Sequence, residues 1–224
     1  MTDGHRRGLL AVLVAGGAAG VAAWAVLFSS LLGAASVVVS GNDRLTAQEI
    51  RRVAAIRDGQ PLATLDVAGI RAKIAALPRV EWAQVDRNWP RTVRIRVHER
   101  TPIAVAQVGG RTALVDRYGA IVEFRDPAPA GLPRLRVAHL AVDDPVARAA
   151  LAVIRGLPIV LSGRVAEVHA DTPTSVTLSL TDGRTVLWGG PERTARKARI
   201  LRALLMQRRG DRYDVSSPDV ATVN

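Results

Sequence analysis

The 224-residue sequence contains no cysteine, which excludes disulfides, cysteine nucleophiles, thiolate zinc sites and cysteine-ligated iron–sulfur clusters at once. Aromatic residues are scarce at 4%, so the stacking platforms used by binders of single-stranded nucleic acid are nearly missing. Lysine is almost absent too: Lys73 and Lys197 stand alone among 31 basic residues. The four histidines (His5, His98, His139 and His169) lie far apart and give no metal-ligating spacing. There is no Gly-x-Ser-x-Gly elbow, and Gly189-Gly190 lacks the Lys-Ser/Thr of a phosphate loop. Asp143-Asp144 precedes Pro145, a pattern that reads as helix capping rather than a metal site. No catalytic residue, metal ligand set or cofactor site assembles from this sequence, and an enzyme is not expected.

What is present begins with charge. The net charge of +11 points to nucleic acid, anionic lipid or an anionic wall polymer as a partner. The arginines are nevertheless spread along the chain with no run longer than a pair, whereas nucleic-acid readers gather theirs on one face. A solvated basic surface is expected, with no nucleic acid and no small-molecule substrate.

Charge of either sign is missing between Arg7 and Asp43, and Gly8 to Gly33 is dominated by Leu, Val and Ala. As a helix these residues would extend about 39 Å at about 1.5 Å per residue, enough to cross a bilayer with tilt. A cleaved signal has a shorter apolar region, so a retained anchor over 8–33 is expected; Ala34, Ala35 and Ser36 keep cleavage open as the alternative. Arg6 and Arg7 abut the run and place a short tail, residues 1–7, in the cytoplasm, with everything after the span outside. Gly16 and Gly20 form a small-xxx-small pair that suits close packing of two membrane helices, with chance spacing in an Ala/Gly-rich segment as the alternative.

Beyond the span the pattern is that of a soluble α+β protein dividing near Arg100. Ser36 to Ser40 is a β-branched run ending at Gly41-Asn42. Thr46 and Glu49 form a capping box, and Asp58-Gly59 closes the helix it starts. Asp66 caps a second helix with Val67, Ile70, Ile74 and Leu77 on one stripe, stopped by Pro78. Val80 to Trp89 and Thr92 to Glu99 are extended; Val93, Ile95 and Val97 alternate with Thr92, Arg94, Arg96 and His98. His98 on the polar face reads as a surface residue, and Trp82 and Trp89 as core or turn packing. The order is β-α-α-β-β.

Strands are expected next at 103–108, 112–115 and 121–124, then a rigid loop through Pro127, Pro129, Gly131 and Pro133. A helix opens at Asp144-Pro145 and runs through Ile154 to Gly156. Strands follow at 165–169, 175–180 and 185–188, the last two joined at Thr181-Asp182-Gly183-Arg184. Pro191 is expected at the first turn of a final helix with Ala198, Leu201 and Leu205 inward, Arg208 and Arg209 at its C-terminal end, and Gly210 as its stop.

The stretch VEWAQVDRNWPRTVRIRVHERTPIA, Val80 to Ala104, carries a strand, a Trp-Pro turn, an alternating strand and Glu-Arg-x-Pro. With VSGNDRLTAQEI, DVAGIRAKIAALPRV, LVDRYGAIVEF and the closing DVSSPDVATV, it resembles the bacterial cell-division family FtsQ/DivIB. The resemblance implies a transmembrane helix, a POTRA domain over 34–100 and a mostly antiparallel β domain with flanking helices over 101–224. It further implies a non-enzymatic divisome scaffold at the division septum, a single-pass type II protein of the cell membrane. Its implied partners are FtsB/DivIC-like and FtsL-like membrane proteins and a septal peptidoglycan synthase. Binding by strand addition is implied at the closing strand, Tyr213 to Val223, through Tyr213, Val215, Ser217, Val220 and Thr222, although Pro218 removes a donor there, with a strand that only closes the sheet as the alternative. Two other classes stand beside this: a POTRA-bearing component of an envelope transport or assembly system, and a membrane-anchored wall enzyme.

Overall fold

A computed structural model describes residues 12–21, 24, 32–207, 210–217 and 222–223. Of the expected span over 8–33, residues 12–21 and 24 are helical, with Gly16 and Gly20 exposed on that stretch. Among the described residues, no helix is long and apolar enough to cross a membrane. The remainder of the span, the tail 1–7, Arg208 and Arg209 lie outside the described residues. The chain divides into two compact units, 1–99 and 100–224.

In the first unit, β1 (Ser36–Ser40), α1 (Ala47–Ala54), α2 (Val67–Ala75), β2 (Val80–Asn88) and β3 (Thr92–Glu99) follow in order. The sheet order is β1-β3-β2, with β1 parallel and β2 antiparallel to the central β3. The alternation of β3 puts Val93, Ile95 and Val97 inside, where they pack with Ile50 of α1, Ile70 and Ile74 of α2, and Leu62 and Leu65 between the helices. Thr46 and Glu49 cap each other at the start of α1. Asp66 accepts from Gly69 N at 2.9 Å to start α2. Gly41 turns out of β1 at φ 80°, and the Val97 carbonyl occupies the space that a Cβ there would need, so only glycine fits.

Glu99 ends β3 with a nest of donors. Its carboxylate accepts from Asp43 N at 2.8 Å, Leu45 N at 2.9 Å and Arg44 N at 3.1 Å. Partial burial works to raise its pKa, but these three backbone donors outweigh that and hold it below the usual carboxylate range. Arg100, the next residue, donates to the buried Asp116 carboxylate at 2.6 Å inside the second unit.

The second unit is built on a nine-stranded sheet. Its elements are β4 (Pro102–Val108), β5 (Arg111–Asp116), β6 (Ile121–Phe124), β7 (Arg134–Val137), α3 (Pro145–Gly156), α4 (Ile159–Ser162), β8 (Val165–Ala170), β9 (Val176–Leu180), β10 (Thr185–Gly189), α5 (Thr194–Met206), β11 (Arg212–Asp214) and β12 (Thr222–Val223). The strand order is β12-β11-β10-β9-β8-β7-β4-β5-β6. Five of the eight pairings are antiparallel; β10–β11, β4–β7 and β7–β8 are parallel. One face carries the main core, in which Trp188, Leu178, Val168 and Val115 meet Leu151 and Ile154 of α3 and Leu201 of α5. Val105, Leu114 and Val122 point the other way and form a small second cluster with Leu132.

Several elements differ from the sequence reading. Helix α1 ends at Ala54, with Ala55 in the left-handed region, so Asp58-Gly59 belongs to the following loop. Helix α5 starts at Thr194 after Arg193 at φ 56°, and Pro191 precedes the helix because the Thr194 hydroxyl donates back to Pro191 O at 2.7 Å. Strand β7 went unread: four residues with two arginines outward give little apolar signal, and only its pairing with β4 and β8 makes it a strand. Trp82 and Trp89 are half exposed rather than core, because β2 turns Trp82 to the helix-free face, where its ring stacks on His98 at 5.7 Å.

Candidate functional site

The closing segment sits at one end of the large sheet. Instead of the single strand expected over 213–223, the structure has two short ones, β11 and β12, paired antiparallel with Tyr213 opposite Val223 and Asp214 opposite Thr222. Strand β11 therefore lies inside the sheet, parallel to β10 on its other side. Among the described residues β12 ends the sheet, with one backbone edge unpaired.

Side chains of the preceding hairpin fix this end. Tyr213 is fully buried; its hydroxyl donates to Gly210 O at 3.1 Å and receives Arg184 Nη1 at 3.2 Å. Arg184 and Arg164 both pair with Asp182. The Arg184 hydrogen bond in particular drives the Asp182 carboxyl far below its ordinary range, and Asp182 with Tyr213 raises the Arg184 guanidinium in turn. Val215 is buried, and its N–H donates to Leu187 O at 3.0 Å. Behind β10, the buried Lys197 Nζ donates to Trp188 O at 3.0 Å and Gly190 O at 2.9 Å. Burial lowers the Lys197 pKa, while Glu192 opposes the shift.

The residues expected to touch a partner are thus divided. Tyr213 and Val215 send their side chains into the core and have their backbone groups engaged within the sheet. Ser217 is exposed in a bend after β11. Val220 lies outside the described residues, and Thr222 is placed in β12. The sequence reading names Lys197 only as one of two lysines, and Asp182 and Arg184 only as residues of a turn. Lys197 was legible, since a charge there falls on the same helical stripe as Leu201 and Leu205. Among the described residues no group of His, Asp and Glu is gathered as a metal site; His169 bonds Arg136 O at 3.2 Å and Asp171 at 3.1 Å.

The first unit matches the family described as POTRA domain, FtsQ-type, over residues 32–100. The second matches the family described as cell division protein FtsQ/DivIB, C-terminal, over residues 104–221. Over 216 residues the chain is 40% identical to the protein named cell division protein FtsQ of Mycobacteroides abscessus, covering 96% of this chain and 68% of that one. Identity to the protein of the same name from Mycolicibacterium smegmatis is also 40%, over 88% of this chain and 58% of that one. The chain therefore spans about two thirds of the length of the first relative and less of the second. The solved extracytoplasmic domain of DivIB from Geobacillus stearothermophilus is 21% identical, covering 39% of this chain and 76% of its own, with a TM-score of 0.32. With both units matched in order and the relatives aligned across nearly the whole chain, the protein belongs to the FtsQ/DivIB family of bacterial cell-division proteins.

Proposed function

We propose that this protein is a membrane-anchored, non-enzymatic scaffold of the divisome that binds FtsB/DivIC-like and FtsL-like partners by strand addition at β12. The observation that carries the reading is the position of β12: it ends a nine-stranded sheet and is paired on one side only among the described residues. An open edge accepts an extended segment through backbone hydrogen bonds, each contributing about 0.5–1.5 kcal/mol net. In this reading the apolar run over 8–33 is the anchor, Arg6 and Arg7 keep the tail cytoplasmic, and the protein gathers at the septum beside the peptidoglycan synthase. Gly16 and Gly20 serve as a contact between membrane helices.

The test uses two neighbouring substitutions in the full chain, Thr222→Pro and Val223→Pro. Backbone N–H groups alternate along a strand, so one of the two points at β11 and the other outward. Proline at the outward position removes a free donor and adds ring bulk without touching the β11 pairing. That variant should keep its melting temperature and lose an FtsB/DivIC-like protein in a pull-down. Retained binding by both variants in folded protein rules out the β12 edge.

A further inference from the structure

Helix α3 carries Arg148, Ala152 and Arg155 at the i, i+4, i+7 spacing of one face. Both arginines are exposed and neither forms an ion pair among the described residues. They line a groove of about 400 Å³ with Arg117, Tyr118, Val142 and Pro191, and no acidic residue contributes to its walls. Arg117 lies over the Tyr118 ring at 4.9 Å, so an aromatic face and a cation share one wall. Arg148 and Arg155 set two exposed guanidinium groups of one sign along this face, a surface that favours an anion. Each presents a planar fork matched to a carboxylate.

Arg155 also lines a second cleft of about 430 Å³, whose walls are apolar: Ile103, Leu132, Pro133, Leu157 and Ile159. Beside it, Ile159 is 88% exposed and Val160 62% exposed on the short helix α4. Such side chains at the mouth of an open cleft are an unpaid hydrophobic surface. The surface along α3 therefore runs from cationic to apolar, with Arg155 common to both parts.

We infer that α3 carries a docking groove for an acidic peptide segment of a partner protein, its carboxylates on Arg148 and Arg155 and its apolar residues in the cleft beside Ile159. The rise along α3 separates the two arginines by about 10 Å. Carboxylates three residues apart on an extended polyproline-like segment match that distance at about 3.1 Å per residue. A phospholipid headgroup or a wall phosphate would use the charges alone. A peptide uses both halves, which is why the chemistry favours it. The groove is built on α3 and does not involve β12, so it stands or falls independently of strand addition there.

The test measures anisotropy of a fluorescein-labelled 12-residue peptide, with glutamates at every third position over its first half followed by leucine and isoleucine, with the full chain in neutral detergent at about 0.15 M salt, where the Debye length is about 8 Å. Arg148→Glu/Arg155→Glu should weaken binding at least tenfold, and Arg148→Gln/Arg155→Gln should weaken it less. Arg199→Glu/Arg202→Glu on α5, with the same change in net charge outside the groove, should change it less than twofold. Ile159→Asp should weaken the full peptide but not a version with its apolar residues replaced by serine. Emission from the buried Trp188 and the melting temperature check that each variant is folded. Equal weakening by the two reversed pairs overturns the proposal in favour of general charge attraction. It is also overturned if the wild-type chain does not bind the peptide. The same holds if the groove pair abolishes binding to phosphatidylglycerol vesicles while peptide binding persists.

Discussion

In the POTRA domain a carboxylate gathers backbone donors, whereas in the C-terminal domain an ammonium gathers backbone acceptors. Glu99 draws in three N–H groups of the β1–α1 loop; Lys197 reaches two carbonyls at the end of β10. The carboxylate lies near solvent and needs little help. The ammonium is buried, and its desolvation is offset by those carbonyls and by the charge of Glu192. The architectures differ in the same sense. Three strands and two helices enclose one core and leave the other sheet face wet, while the nine-stranded sheet carries hydrophobic clusters on both faces. A one-sided sheet tolerates a charge at its border. In the two-sided sheet the charge of Lys197 is instead buried where α5 meets the end of β10.

The largest expected effect breaks the one-sided domain alone. Ile95 is fully buried at the centre of β3, and Ile95→Asp places an unpaired charge there at several kcal/mol, against a typical domain stability of about 5–15. Limited proteolysis should show cleavage confined to residues before Arg100. Trp188, fully buried in the other domain, should keep its blue-shifted emission. Simultaneous loss of both signals would mean that the two domains unfold as one.

Lys197→Met comes next. It removes the buried charge but orphans Trp188 O and Gly190 O, and an unsatisfied buried acceptor costs about 1–3 kcal/mol. The C-terminal domain should lose about that much in urea denaturation, with Trp188 as the probe. The pH dependence has a definite sign. Burial lowers the Lys197 pKa in the folded state, so between that value and the ordinary 10.5 the unfolded chain binds more protons. Stability therefore rises with pH across that window in the wild type and loses this rise in the variant.

Glu99→Gln should cost the POTRA domain about 1 kcal/mol, because a neutral amide still accepts but more weakly and the site is partly solvated. Here too the folded pKa is lowered, below an ordinary value of 4.5. The stabilisation is thus complete above the unfolded pKa and is lost as pH falls through the folded one. Acid titration of the melting temperature should show a shallower decline in the variant.

How much of this was legible follows the same division between domains. The alternation of Thr92 to Glu99, the Thr46–Glu49 box and the Asp66 cap are local signals, and each appears where the residues predict it. The C-terminal domain depends more on pairing between distant segments. Strand β7 exists because β4 and β8 flank it, and no local pattern in Arg134 to Val137 announces that. The end of the chain is harder still. Val215 and Tyr213 look like strand residues available to a partner, yet the parallel pairing to β10 buries them and hands the edge to β12. A period of two tells which residues share a face; it does not tell which strand is outermost.

The smallest effect is expected one residue from the largest. Arg96 follows Ile95 on β3, and its guanidinium meets Asp86 across the strands at 2.9 Å on the solvent face. Their side chains are 47% and 40% exposed, so water competes for both charges, and holding two mobile side chains in register costs entropy. Exposed pairs of this kind contribute about 0–1 kcal/mol. Arg96→Ala should accordingly move the POTRA stability by no more than about 0.5 kcal/mol, the range usual for surface substitutions. The shift should shrink further as salt is raised, because exposed charges are screened within about 10 Å at 0.1 M. A melting series in low and high salt measures both. A loss above about 1 kcal/mol, insensitive to salt, would show that the face carrying Trp82, His98 and Arg96 is covered in solution. The two sheets would then no longer differ as a wet face and a doubly covered one.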